Sequence, residues 1–177
     1  MIVMKNICKS FDGRKVLDHV DLQLPIGVTT LAWPSGRGKT TLIRILLGLE
    51  TADEGFIEGA EGLRFGVVFQ ENRLLEQLSC KANLSYALGK AYDEKRAGEL
   101  LAALGLELSD PKRVRDYSGG MKRRLAFARA LLFDPDVLVL DEPFTGLDAE
   151  NIRIMNGLIE EYARTRPVLL VSHENKQ

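Results

Sequence analysis

The stretch Val28-Thr29-Thr30-Leu31-Ala32-Trp33-Pro34-Ser35-Gly36-Arg37-Gly38-Lys39-Thr40-Thr41 governs how the rest of the chain is read. An apolar, β-branched run ends in a glycine-rich turn. Helical spacing follows over 41–49 and is closed by Gly48 and the polar Glu50-Thr51. Strand, glycine loop and helix in that order make an anion site. Glycines let backbone N–H groups curl around phosphate oxygens, and the new helix aims its unpaired N–H groups and positive dipole end at them. Residues 33–40 follow the phosphate-loop pattern GxxxxGK[ST] with one departure, Trp33 for the first glycine. Ser35, Gly36, Gly38, Lys39, Thr40 and Thr41 are the candidate phosphate contacts, with Lys39 as a point charge. Arg37, inside the loop, reaches either phosphate or solvent.

Working outward, apolar strands alternate with helical stretches, which reads as α/β with a mostly parallel sheet. Strands are expected at 28–33, 65–69, 136–141 and 167–172, with a helix over about 150–164. The first 27 residues differ. Short alternating runs broken by Asp12-Gly13 and Pro25-Ile26-Gly27 predict an N-terminal antiparallel β-subdomain. Residues 72–116 are rich in Leu, Ala, Glu and Lys and read as helical, with Ala97, Leu100, Leu101 and Leu104 on one face. They predict a helical subdomain over about 72–134 inserted into a single nucleotide-binding domain that spans 1–177.

A second chemical feature lies at Val137-Leu138-Val139-Leu140-Asp141-Glu142-Pro143, a buried-type strand ending in two acids. Asp141 is placed to hold Mg²⁺ opposite the Thr40 hydroxyl. Glu142, one residue on, is placed to act as general base on the water that attacks the γ-phosphate of ATP. Paired with the phosphate loop, the two acids make Mg²⁺-nucleotide chemistry the leading reading. At 177 residues the chain suffices for one domain, and a formal net charge of −1 weighs against a nucleic-acid partner. The basic runs 112–115 and 122–124 therefore read as solvated faces. Cys8 and Cys80, far apart and without partners at metal-ligand spacing, read as reduced thiols of a cytosolic protein. No apolar run approaches the roughly 18–20 residues needed to cross a bilayer.

A third motif, Tyr117-Ser118-Gly119-Gly120-Met121-Lys122-Arg123-Arg124, precedes a helical stretch to Leu132. By itself it is either a serine helix cap with glycines or a second anion site. Here the chain resembles the ABC ATPase family, whose signature is LSGGQ followed by a basic-apolar helix. Tyr117 and Met121 depart from that signature. The resemblance extends to Gln70, matching the Q-loop glutamine near Mg²⁺ and the attacking water, and to Thr145-Gly146-Leu147-Asp148, which resembles the D-loop. It also covers His173, matching the histidine at the γ-phosphate, and Phe11, where the family stacks an aromatic ring on adenine.

The resemblance implies a P-loop NTPase core that binds ATP and Mg²⁺, with Thr40, Gln70 and Asp141 at the metal and Glu142, Gln70 and His173 in catalysis. It further implies a head-to-tail dimer in which Ser118, Gly119 and Gly120 complete the second copy's site. The expected partners are integral membrane permease subunits, with a solute-binding protein reached through the permease, at the inner face of the cell membrane. The motif sequences look like the nitrate/sulfonate/taurine-type importers. Alternatives are a soluble non-transport ABC ATPase and a nucleotide-binding subunit with little turnover. The chain stops four residues after His173, so it reads as C-terminally short for the family, with an exposed apolar face, lower stability or a need for the partner to be expected. The short span between Lys39 and Gln70 suggests trimmed connecting strands.

Overall fold

The computed structural model describes residues 1–34 and 36–172. Two strands, β1 (Ile2–Phe11) and β2 (Arg14–Leu24), pair antiparallel from Ile2 opposite Leu24 to Phe11 opposite Arg14. Asp12 and Gly13 join them with φ of 49° and 75°, the backbone that a two-residue hairpin turn needs and that Asp-Gly supplies. Ile2 and Met4 point into the core in strict alternation, and then the register shifts between Met4 and Ile7. That bulge resets the phase, so Ile7 rather than residue 6 is buried.

After β3 (Gly27–Ala32) and α1 (Lys39–Leu46) comes β4 (Glu54–Glu58), which adds to the free edge of β1, Val3 opposite Glu58. This third antiparallel strand corrects the reading that confined that sheet to the first 27 residues. Glu54-Gly55-Phe56-Ile57-Glu58 is short and mostly exposed, so it carries no clear alternation. Its place comes from a long-range pairing instead.

The second sheet is wholly parallel, in the order β3-β7-β6-β5, with β5 at Phe65–Val68, β6 at Val137–Asp141 and β7 at Pro167–Ser172. Its central strands are apolar throughout because both faces are covered. Val137, Val139, Leu169 and Val171 meet Leu42 and Ile43 of α1 and the antiparallel sheet. Leu138, Leu140 and Val168, one residue out of phase, meet Phe127, Met155 and Ile159 on the other side. The latter come from α4 (Gly119–Leu132) and α5 (Ala149–Ala163).

The region read as helical from residue 72 holds two shorter helices, α2 (Cys80–Leu88) and α3 (Glu94–Ala103). Ser79 and Asp93 cap them, each accepting a backbone N–H three residues on. Residues 72–79 stay non-helical despite their composition. The buried Asn83 side chain accepts from the Leu75 N–H and donates to the Leu75 and Ser79 carbonyls, taking bonds a helix would have made. On α3, Ala97, Leu101 and the following Leu104 are buried as their spacing predicts. Among the described residues no helix is long and apolar enough to cross a membrane.

Candidate functional site

The loop between β3 and α1 is shaped by a close contact. At Gly38 φ is 83°, and a Cβ would stand 2.8 Å from Leu17 Cδ2 and 2.9 Å from the Val16 carbonyl oxygen. Only glycine fits there, and it brings the loop down onto β2. Helix α1 starts at Lys39, two residues before the expected start, with Gly38 at its cap position and no side-chain cap. A helix start of this kind suits an anion. Trp33, the anomaly of the loop, directly follows β3, half-buried against the core beside α1, and offers its carbonyl oxygen to Lys39 Nζ at 3.0 Å.

Strand β6 delivers two carboxylates to the same place. Asp141 and Glu142 are both buried. The Glu142 N–H donates to the Val171 carbonyl at 2.8 Å, and Glu142 itself holds a left-handed φ of 52°. Left-handed backbone at a non-glycine residue carries strain that surrounding structure must hold, and such strain gathers at functional sites. Across the pocket, Lys39 Nζ lies 3.4 Å from Glu142 Oε1, in a pair with both side chains only 8% exposed.

Gly36, Gly38, Lys39, Thr40, Thr41, Gln70, Asp141 and Glu142, with Val16, line one cavity of 440 Å³. It opens at the C-terminal ends of β3, β5 and β6, where open parallel sheets take ligands. The Thr40 hydroxyl, the Asp141 carboxylate and the Gln70 amide oxygen are hard oxygen donors, which suit Mg²⁺. Arg37 lines a neighbouring cleft of 530 Å³ with Trp33, Pro34 and Asp18; Val16 borders both spaces. Phe11 lies outside both linings, 43% exposed, with the Lys9 ammonium 5.2 Å from its ring centroid. Ser35 and His173 fall outside the described residues.

Ser118, Gly119 and Gly120 begin α4 and are also not part of the cavity lining. Ser118 Oγ accepts the Met121 N–H at 3.1 Å, so the serine caps its helix. Gly120 sits so close to the D-loop segment that a Cβ would be 3.3 Å from the Gly146 carbonyl. Asp148, at the end of that segment, caps α5 by accepting the Asn151 N–H.

The basic run after the signature is not a solvated face. Arg123 is 5% exposed and donates to the carbonyls of Phe69 and Gln70, at 2.6 and 2.7 Å. Arg124 donates to the Leu104 carbonyl at 2.6 Å, and Lys122 pairs with Glu76. Arg129 donates to the carbonyls of Arg73 and Asn72. Sequence reading missed this because charge composition does not tell which guanidinium will be enclosed. Their placement on a helix that otherwise presents Leu125, Ala126, Phe127 and Ala128 to the core was the available signal.

Outside the cavity lining, the two strands of the hairpin bring Cys8 beside Asp18 and His19, neighbours that sequence spacing did not reveal. Their atoms are already engaged: His19 Nδ1 lies 2.6 Å from Asn6 Oδ1, and Asp18 pairs with Lys15 at 2.8 Å.

Known proteins bear directly on this geometry. Residues 17–145 match the family described as ABC transporter. The chain is 38% identical over 169 residues to the aliphatic sulfonates import ATP-binding protein SsuB 1 of Pseudomonas savastanoi pv. phaseolicola, covering 94% of this chain and 71% of that protein. It is 37% identical over 178 residues to the zinc import ATP-binding protein ZnuC of Vibrio cholerae, covering 98% and 68%. A solved ATP binding subunit of an ABC transporter superposes with a TM-score of 0.81 at 25% identity, over 98% of this chain and 80% of that one. Sequence, fold and relatives agree: the chain belongs to the ABC transporter family.

Proposed function

We propose that this chain is the ATP-hydrolysing subunit of a bacterial ABC importer, working on separate permease subunits in the membrane. The observation that carries the reading is the single cavity that gathers Lys39, Thr40, Gln70, Asp141 and Glu142 from three parts of the chain. In it the loop N–H groups and Lys39 hold the β- and γ-phosphates. Thr40, Asp141 and Gln70 hold Mg²⁺, which when bound offsets phosphate charge. Glu142 takes the proton from the attacking water, and Lys39 keeps that carboxylate oriented until phosphate competes for the ammonium. Phe11 stacks on the adenine, and His173 contacts the γ-phosphate.

Ser118-Gly119-Gly120 lies outside this chain's own cavity lining, so we take it as the half-site for a second copy in a head-to-tail dimer. Both relatives named above are import proteins, and their cargoes are as unlike as an organic anion and a metal cation at nearly equal identity. Cargo choice therefore belongs to the permease and its solute-binding protein, with this chain at the inner membrane face. The test is steady-state ATPase of the purified chain with Mg²⁺, joined to affinity capture from native membranes. Turnover and a co-purifying polytopic membrane protein are expected. Turnover without any membrane partner would favour a soluble ABC ATPase, and a membrane partner without turnover would favour a regulatory nucleotide-binding subunit.

A further inference from the structure

Helix α4 carries two guanidiniums that hold one short segment of backbone. Arg123 spans the carbonyls of Phe69 and Gln70 at 2.6 and 2.7 Å, and Arg129 those of Arg73 and Asn72 at 2.6 and 3.0 Å. Four carbonyls of residues 69–73 thus end on one helix, just where the chain leaves β5 and carries Gln70 into the cavity. Burial lowers the pKa of both guanidiniums. For Arg123 the negative charges of Asp141 and Glu142 oppose that effect. A planar fork bridges two neighbouring carbonyls as a lysine point donor cannot.

We propose that Arg123 and Arg129 are positioning residues for ATP hydrolysis, acting through Gln70. They clamp segment 69–73 to α4, so the helix that begins at Ser118-Gly119-Gly120 and the side chain facing the metal site move as one body. A shift felt at the signature end of α4 then reaches Gln70 through about 8 Å of rigid helix, from Ser118 to Arg123. The proposal rests on the reading of Gln70 as part of the nucleotide site.

The experiment compares Arg123→Ala, Arg123→Gln, Arg123→Lys and Arg129→Lys with the unaltered chain by amide hydrogen exchange and by MgATP kinetics. Exchange over residues 69–73 should accelerate at least about tenfold in each variant while β6 and α1 keep their protection. The kcat should fall by on the order of 10- to 100-fold, as for a misplaced catalytic group, with KM for MgATP changed much less. Millimolar guanidinium should restore part of the turnover of Arg123→Ala. Unchanged exchange at 69–73 and unaltered kcat in folded variants would overturn the proposal, as would loss of turnover that tracks global unfolding in urea. If Arg123→Gln does not fold, Arg129→Lys is read by the same two measures. If the unaltered chain has no turnover, the proposed function fails, while the exchange data still decide the clamp.

Discussion

Glu142 stands at the end of a buried strand with a left-handed backbone, held by its N–H bond to Val171 and by the Lys39 ammonium. Its substitution by Gln keeps shape and hydrogen bonding and removes the base. Turnover should fall by about 10²–10⁴-fold while MgATP affinity stays close to that of the unaltered chain; paired phosphate-release and nucleotide-binding assays check this. Cys80 gives a prediction at the same scale. Burial in the helical core pushes its thiol pKa up to about 11. A raised acid pKa means the folded state keeps a proton that the unfolded chain loses above pH 9. The sign therefore runs toward lower stability as pH rises from 9 to 11, with full stability below. Urea unfolding at pH 8 and pH 10 should show the loss, and Cys80→Ser should flatten it. A thiol reagent at pH 8 should leave Cys80 unmodified until the protein unfolds.

Two glycines set the scale of the elements. Gly66 lies in β5 where α4 and the following loop cross, and a Cβ there would stand 2.6 Å from Pro135 Cγ and 2.8 Å from the Ala130 carbonyl. Gly66→Ala must push β5 and α4 apart, at a cost of about 1–3 kcal/mol in denaturant unfolding. Gly157, exposed on α5, has open space where its Cβ would be. Gly157→Ala should stabilise by up to about 1 kcal/mol, because alanine favours the helix and has less chain entropy to lose. Opposite signs for the same chemical change would show that packing at β5, rather than glycine content, decides the outcome.

At the scale of the whole molecule, the phosphate cavity and the signature lie apart within one chain, so ATP should join two copies. In the Glu142→Gln background, MgATP should drive a monomer-to-dimer shift visible by light scattering. Gly119→Asp should remove it. Nothing lies near the Gly119 Cβ position, and an acid in the first turn suits a helix N-terminus, so α4 should survive. The new charge nevertheless repels a γ-phosphate presented by the other copy. Such a variant should still bind nucleotide as a monomer; a dimer of ordinary affinity would remove Ser118-Gly119-Gly120 from the composite site.

The sequence alone determined whatever depends on residues adjacent along the chain. Val28 to Thr41 specified a strand, a glycine turn and an uncapped helix start, and 137–142 specified an apolar strand ending in acids. Those features follow from side-chain period, glycine backbone freedom and capping, which act within a few residues. Only the tertiary structure decided the order β3-β7-β6-β5, the addition of β4 to β1, and the meeting of Lys39 with Glu142 across 103 residues of chain. It also decided that Arg123 and Arg129 serve backbone carbonyls more than 50 residues away. The reason is that pairing between distant strands is chosen by which period-2 faces bury together. A charged side chain becomes structural only when packing encloses it and obliges it to find acceptors. The phosphate loop could be read in one line of sequence; what holds Gln70 beside it could not.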